Sequence, residues 1–179
     1  MNAVLSEVPG IDGEAAEIAR MRELFDLQRK AFDAAPFPDH ASRKANLRKL
    51  IAALQKHQND IVVAVNADFG VRAGAETKLV EVMGPILEAH HCLSHMRKWM
   101  KPRRRSTELL FLTNSAWVAY QPKGVVGIIG TWNFPVYLTL GPLVAARAAG
   151  NRAIIKTSEF APRTTAILRK LLAECFSED

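Results

Sequence analysis

Three side chains in the second half of the sequence have the types and spacing to do chemistry: Asn133, Lys156 and Glu159. Asn133 stands in Trp132-Asn133-Phe134-Pro135, a polar, aromatic, proline-closed turn that ends the apolar run from Gly124 to Ile129. An amide donor held beside a cleft can stabilise a developing oxyanion, an effect of roughly 3–4 kcal/mol in a protease. Asn is also a common turn former, and spacing alone favours that plainer reading. Lys156 closes the apolar run Ala153-Ile154-Ile155 and has a carboxylate, Glu159, three residues on. The lysine can donate to ribose hydroxyls and the glutamate can accept from them. A carboxylate there would repel a ribose 2′-phosphate, which favours NAD over NADP. A surface ion pair between the two is an equal reading of the same spacing. Gly124, Gly127 and Gly130 do not make the G-x-G-x-x-G phosphate fingerprint. Two of them fall within the strand pattern, where a missing side chain allows close packing.

These residues need a scaffold that brings the two turns together. The continuous apolar run Gly124 to Ile129 predicts a strand buried on both faces, as in parallel sheets. Pro135 suits the first turn of a following helix. That helix is kinked or restarted at Pro142 and stops at Gly150 and Asn151. Ala153 to Ile155 reads as a second strand, and Pro162 and Thr164 open a last helix with Ile167, Leu168, Leu171 and Leu172 on one side. A β-α-β unit takes a right-handed crossover, so both strands end on one sheet edge. The turns at 131–135 and 156–159 are therefore expected to face one cleft.

The first hundred residues read as helical. Residues 1–13, with Pro9, Gly10 and Gly13, have no clear period and are expected to be a loose lead-in. Ile18, Met21, Phe25 and Phe32 predict an amphipathic helix from Ala15 to Phe32. Asp39 is a candidate N-cap for a second helix carrying Leu47, Leu50, Ile51 and Leu54. Asn59 is a candidate cap for a third, stopped by Gly70. A long pattern from Ala75 to Met100, with Leu79, Val82, Ile86, Leu93 and Met96 as its stripe, should kink at Pro85. His91 and His95 share a face of that helix at metal-ligand spacing, but no third ligand or HExxH pattern accompanies them. They are read as surface or interface imidazoles, with no metal. Leu109 to Leu112 and Trp117 to Tyr120 flank Thr113-Asn114-Ser115 and read as a hairpin. The expected organisation is a helical region at 1–105, a hairpin arm at 106–122, and an incomplete nucleotide-binding domain at 123–179.

Composition bounds the function. Hydrophobic residues make up 49% and charged residues 23%, values of an ordinary folded chain. No apolar window is long enough for a membrane span. The start lacks the basic and apolar signature of a secretory signal, and Cys92 and Cys175 read as free thiols, so a cytoplasmic location is expected. The net charge of +6 comes from one stretch, 97–105, which holds six of the 24 basic residues and no acid. A nucleic-acid patch is the sharper reading of it. A solvated helix end is the plainer and preferred one, so no nucleic-acid partner is expected.

The ordered blocks Pro122 to Pro135, Gly141-Pro142-Leu143, Ala148-Ala149-Gly150-Asn151 and Lys156-x-Ser158-Glu159 resemble the aldehyde dehydrogenase superfamily. Asp68-Phe69-Gly70 and Trp99-Met100-Lys101-Pro102 are most similar to its coniferyl aldehyde branch. The resemblance spans about residues 15 to 179 and implies an α/β fold: N-terminal helices, a hairpin arm, then the first β-α-β-α of a Rossmann-like domain. It implies oxidation of an aldehyde, such as coniferyl or another aromatic aldehyde, to a carboxylic acid. NAD is the implied cofactor, with NADP open. Asn133 takes the oxyanion role, and Ile129, Thr131, Trp132, Lys156, Ser158 and Glu159 fall on the cofactor side. The arm implies a homo-oligomer, a dimer first of all. Thr131 and Thr157 stand where many members carry proline, which is expected to loosen the turns. The family's nucleophilic cysteine and general-base glutamate find no counterpart in these residues, so the chain by itself is expected to be inactive. Cys92 and Cys175 match no catalytic position. The alternative is a stand-alone nucleotide-binding or assembly module.

Overall fold

A computed structural model describes residues 11–178. Of the expected lead-in, residues 1–10 lie outside the described residues, and 11–13 already belong to α1, Ile11–Ala34. That helix lies along the sheet, where the Gln28 amide donates to the Ala153 carbonyl at 3.2 Å. Its predicted stripe is not buried: Ile18, Met21 and Phe25 are exposed, while Leu24, Gln28 and Phe32 are half-buried.

The central element is α2, His40–Phe69. Asp39 caps it as expected, accepting the Ser42 amide at 2.8 Å, and Gly70 ends it with a left-handed backbone. The predicted break at Asn59 is absent, and one helix replaces two. Asn59 points to solvent, and Leu47, Leu50, Leu54, Ile61 and Val65 keep a continuous buried stripe past it. Packing of that stripe overrides a local capping signal.

The long pattern after Gly70 is also one helical stretch, but not of one kind. A turn at Gly74–Glu76 (α3) leads into a π-helical segment, Thr77–Val82, and then α4, Met83–Trp99. The widening precedes Pro85, which cannot donate to the carbonyl four residues back and would clash with it. One consequence is a rotated face. Leu79, expected inside, is exposed, whereas Thr77 and Glu81 are buried.

The hairpin forms with different partners from those expected. β1, Arg103–Arg105, pairs antiparallel with β2, Ala116–Val118. Leu109–Phe111 is a 3₁₀ turn between them rather than a strand. The three consecutive arginines of the basic stretch therefore form the first strand, with all three side chains exposed.

β3, Val125–Ile129, and β4, Arg152–Lys156, are parallel, with Ile129 opposite Lys156. α5, Tyr137–Ala148, connects them and runs through Pro142 without interruption. Gly150, at φ 89°, and Asn151 end it as expected. β3 is less buried than predicted: Ile128 is inside and Ile129 is exposed. Among the described residues the parallel sheet has two strands, so packing on both faces is incomplete. α6, Pro162–Cys175, lies along α2. The core joins Leu50 and Leu54 of α2, Ile86 and Met96 of α4, Leu140 and Val144 of α5, and Leu168 and Leu171 of α6.

Candidate functional site

The register of the parallel pair sets the site. Ile129 ends β3 beside Lys156, which ends β4, and the Gly130 amide donates to the Lys156 carbonyl at 2.8 Å. The two polar turns thus leave the same edge from adjacent positions, where open α/β sheets place their ligands. The glycines serve differently from what the strand pattern suggested. Gly127 is the one within β3, and open space surrounds it. The tight position is Gly130, where a β-carbon would sit 2.3 Å from Thr139 Oγ1.

Asn133 is exposed at this edge. The Thr131 hydroxyl donates to Asn133 Oδ1 at 2.8 Å. That bond engages the acceptor end of the amide, while the Nδ2 end carries the two N–H donors an oxyanion could use. Thr131, expected to loosen the turn, instead ties down the Asn133 side chain within it. Trp132 and Ile129 are exposed beside it, at 59% and 79%.

Lys156 and Glu159 form a direct ion pair, both largely exposed. The Lys156 side chain, its strongest influence, holds the Glu159 carboxyl below its usual range. Of the two readings of that spacing, the ion pair is therefore present. Ser158 is buried, and its hydroxyl accepts the Phe160 amide at 3.2 Å, which shapes the turn from within.

Several residues that fix these turns carried no local sequence signal. Glu81 is fully buried, and its Oε2 accepts the Val136 amide at 2.8 Å and the Tyr137 amide at 2.9 Å. Those are the first free amides of α5, just after Pro135. Arg72 reaches Glu81 Oε1 at 3.1 Å and lies over the rings of Phe69 and Phe134. Burial pushes the Glu81 carboxyl up; the two amides and Arg72 pull it partly back. Asp68 caps α6 from α2, accepting the Arg163 amide at 3.1 Å, the Thr164 amide at 2.8 Å and the Thr164 hydroxyl at 2.7 Å. Asn151 Oδ1 takes the Lys123 and Gly124 amides and so pins the start of β3. The bonds of Glu81, Asp68 and Asn151 to these segments span 27 to 96 residues, where no periodicity reports them.

The other candidates lie elsewhere. The His91 and His95 rings lie tilted with centroids 4.3 Å apart, His95 stacks against Trp99, and His95 Nδ1 contacts the His91 carbonyl. Cys92 and Cys175 are buried, and burial raises both thiols, the reverse of what a nucleophile needs. A cavity of 570 Å³ between α1, β4 and α6 contains neither Asn133 nor Glu159 in its walls.

A parallel pair with its polar turns on one edge, helices packed against it and a hairpin arm before it define an α/β chain with the opening β-α-β-α of a Rossmann-like domain. Residues 4–178 match the model of the aldehyde dehydrogenase family. A probable coniferyl aldehyde dehydrogenase of Pseudomonas aeruginosa is 42% identical over 98% of this chain and 37% of its own length. A coniferyl aldehyde dehydrogenase of Pseudomonas sp. strain HR199 is 37% identical over 94% of this chain and 35% of its own. The substrate-bound structure of Staphylococcus aureus AldH superposes with a TM-score of 0.84 at 28% identity, covering 88% of this chain and 34% of that one. The chain belongs to the aldehyde dehydrogenase family. It spans about a third of the length of the curated relatives it matches.

Proposed function

We propose that these residues form one wall of the active site of an NAD(P)-dependent enzyme that oxidises an aldehyde to the carboxylic acid. The observation that carries this reading is the Asn133 amide, exposed at the sheet edge with its acceptor end tied to Thr131. Asn133 donates to the substrate oxygen as negative charge develops there. The residues fit the adenosine side of a dinucleotide: exposed Ile129 and Trp132 offer apolar surface, and Lys156 and Glu159 offer a donor and an acceptor for the ribose diol. The Glu159 carboxylate disfavours a 2′-phosphate, which supports NAD over NADP. The cofactor, when bound, supplies the hydride acceptor. By family resemblance, a cysteine and a glutamate from sequence outside these 179 residues act as nucleophile and base; the two buried thiols do not.

An aromatic aldehyde of the coniferyl type is the proposed substrate, on the strength of the 42% identity to a probable coniferyl aldehyde dehydrogenase. Homo-oligomerisation through the hairpin is supported by Leu109, Leu110, Leu112, Trp117 and Tyr120, which are exposed on the arm. No described helix is long and apolar enough to cross a membrane. The test is steady-state oxidation of coniferyl aldehyde with NAD. The complete enzyme carrying this segment should turn over, and Asn133→Ala should lower kcat about 100-fold or more. The 179-residue chain alone should give no NADH; turnover by it would refute the assignment of nucleophile and base to other sequence. Full kcat in the Asn133→Ala enzyme would refute the oxyanion role.

A further inference from the structure

We infer that Glu81, paired with Arg72, is a positioning residue for Asn133, holding the 131–135 turn in register with the cleft. The inference rests on the oxyanion reading of Asn133. α5 begins right after that turn, and its N-cap residue Val136 has no side-chain cap of its own. Glu81 supplies the cap from another element, and its single Oε2 receives both the Val136 and Tyr137 amides. A carboxylate there also complements the positive end of the helix. The second oxygen binds Arg72, whose guanidinium sits 4.9 Å from the Phe134 ring centre. Asn133 is thus flanked on its C-terminal side by two anchors, the Phe134 ring and the Val136 amide, both tied to the Arg72–Glu81 pair. On its N-terminal side Thr131 holds the amide itself.

The backbone that delivers Glu81 is as unusual as its position. Within the π segment Thr77–Val82, Glu81 is buried and Leu79 exposed, and the Glu81 carboxylate meets the first amides of α5. π-bulges are frequent at functional sites. The segment thus couples the N-terminal helices to the turn that bears the proposed oxyanion donor.

The test uses the complete enzyme with Glu81→Gln, which keeps size and one acceptor oxygen, alone and combined with Asn133→Ala. Expected results are a kcat about tenfold lower for Glu81→Gln with KM for NAD little changed. Amide exchange across 131–138 should be faster. In the Asn133→Ala background, Glu81→Gln should lower kcat by less than about twofold more. An equal kcat loss in both backgrounds marks a general structural role and overturns the inference, as does unchanged exchange at 131–138. If Asn133→Ala keeps full kcat, the oxyanion reading falls, and the anchoring by Glu81 stands or falls on the exchange data alone. Should Glu81→Gln fail to fold, Arg72→Lys tests the same brace and is expected to show the same pattern, more weakly.

Discussion

The two turns at the sheet edge start from neighbouring positions and are held in opposite ways. The turn at 131–135 is braced from outside by Glu81, a fully buried carboxylate more than fifty residues upstream. The turn at 156–159 has no buried charge behind it: an exposed pair joins Lys156 and Glu159, the Ser158 hydroxyl accepts the Phe160 amide, and the Lys156 and Ser158 carbonyls accept from Gly130 and Thr165. A buried charge is tolerated only when every oxygen is satisfied, so the first turn gains a rigid frame that fails badly if one partner is removed. An exposed pair contributes little and leaves its side chains free to exchange one partner for another. The difference suits the proposed roles. An oxyanion donor must be fixed before the reaction, whereas ribose-binding side chains can release each other when the ligand arrives.

The largest effect should come from breaking the buried brace. Glu81→Ala leaves Arg72, 13% exposed, facing two rings without its carboxylate, and strips the cap from α5. The loss should be about 3 kcal/mol or more. Lys156→Ala and Glu159→Ala should leave the melting temperature nearly unchanged. Thermal unfolding of the three variants side by side checks this; equal destabilisation would erase the distinction between the turns.

An intermediate effect is expected at Gly130, where the two turns touch. A β-carbon there meets Thr139 Oγ1 at 2.3 Å, a clash that costs about 1–3 kcal/mol for Gly130→Ala. Thr139 is buried, and its hydroxyl has no hydrogen-bond partner among the described residues. Removing it should therefore cost little by itself, and Gly130→Ala with Thr139→Ala should recover much of the loss. Denaturant titrations of the double-mutant cycle measure the coupling. Additive losses would mean that the tight contact does not set the spacing of the strand ends.

What the sequence revealed follows the same division between local and distant forces. Asp39, Gly70, Gly150 and Asn151 mark helix ends because capping is decided within a few residues. The parallel strands and their polar turns were legible for the same reason. Glu81 was not. The stripe through Leu79 predicts that residue inside, whereas in the π segment Leu79 is exposed and Thr77 and Glu81 are buried. A carboxylate four residues before Pro85 on an otherwise apolar face was the one available hint. The hairpin was misregistered because four consecutive apolar residues at 109–112 outweighed three arginines as a strand signal. An exposed two-stranded arm has no buried face to impose the usual preference. Asn59 has the local signal of a cap, but that signal says nothing about the stripe that packs across it and carries the helix on. The assignment of Asn133, Lys156 and Glu159 came through family resemblance, since spacing alone left a turn and an ion pair as sufficient explanations.

The smallest effect, and the one that separates the turns most cleanly, is in their response to pH. Burial raises the Glu81 carboxyl, so its folded state holds a proton more readily than the unfolded chain does. Its contribution to stability is complete below the ordinary carboxyl range and declines as pH rises through the raised folded value. The Lys156 partner lowers Glu159, so the sign reverses: its contribution is complete above the ordinary range and is lost as pH falls through the depressed folded value. Glu81→Gln should therefore remove a downward slope of stability on the alkaline side of the carboxyl range. Glu159→Gln should remove a much weaker upward slope on the acid side, weaker because both side chains of its pair with Lys156 are exposed. Melting temperatures from acid to neutral pH for the two variants against the parent protein measure both slopes. Slopes of the same sign would mean that the brace behind Asn133 behaves electrostatically as a surface pair, and the contrast between the two turns would be lost.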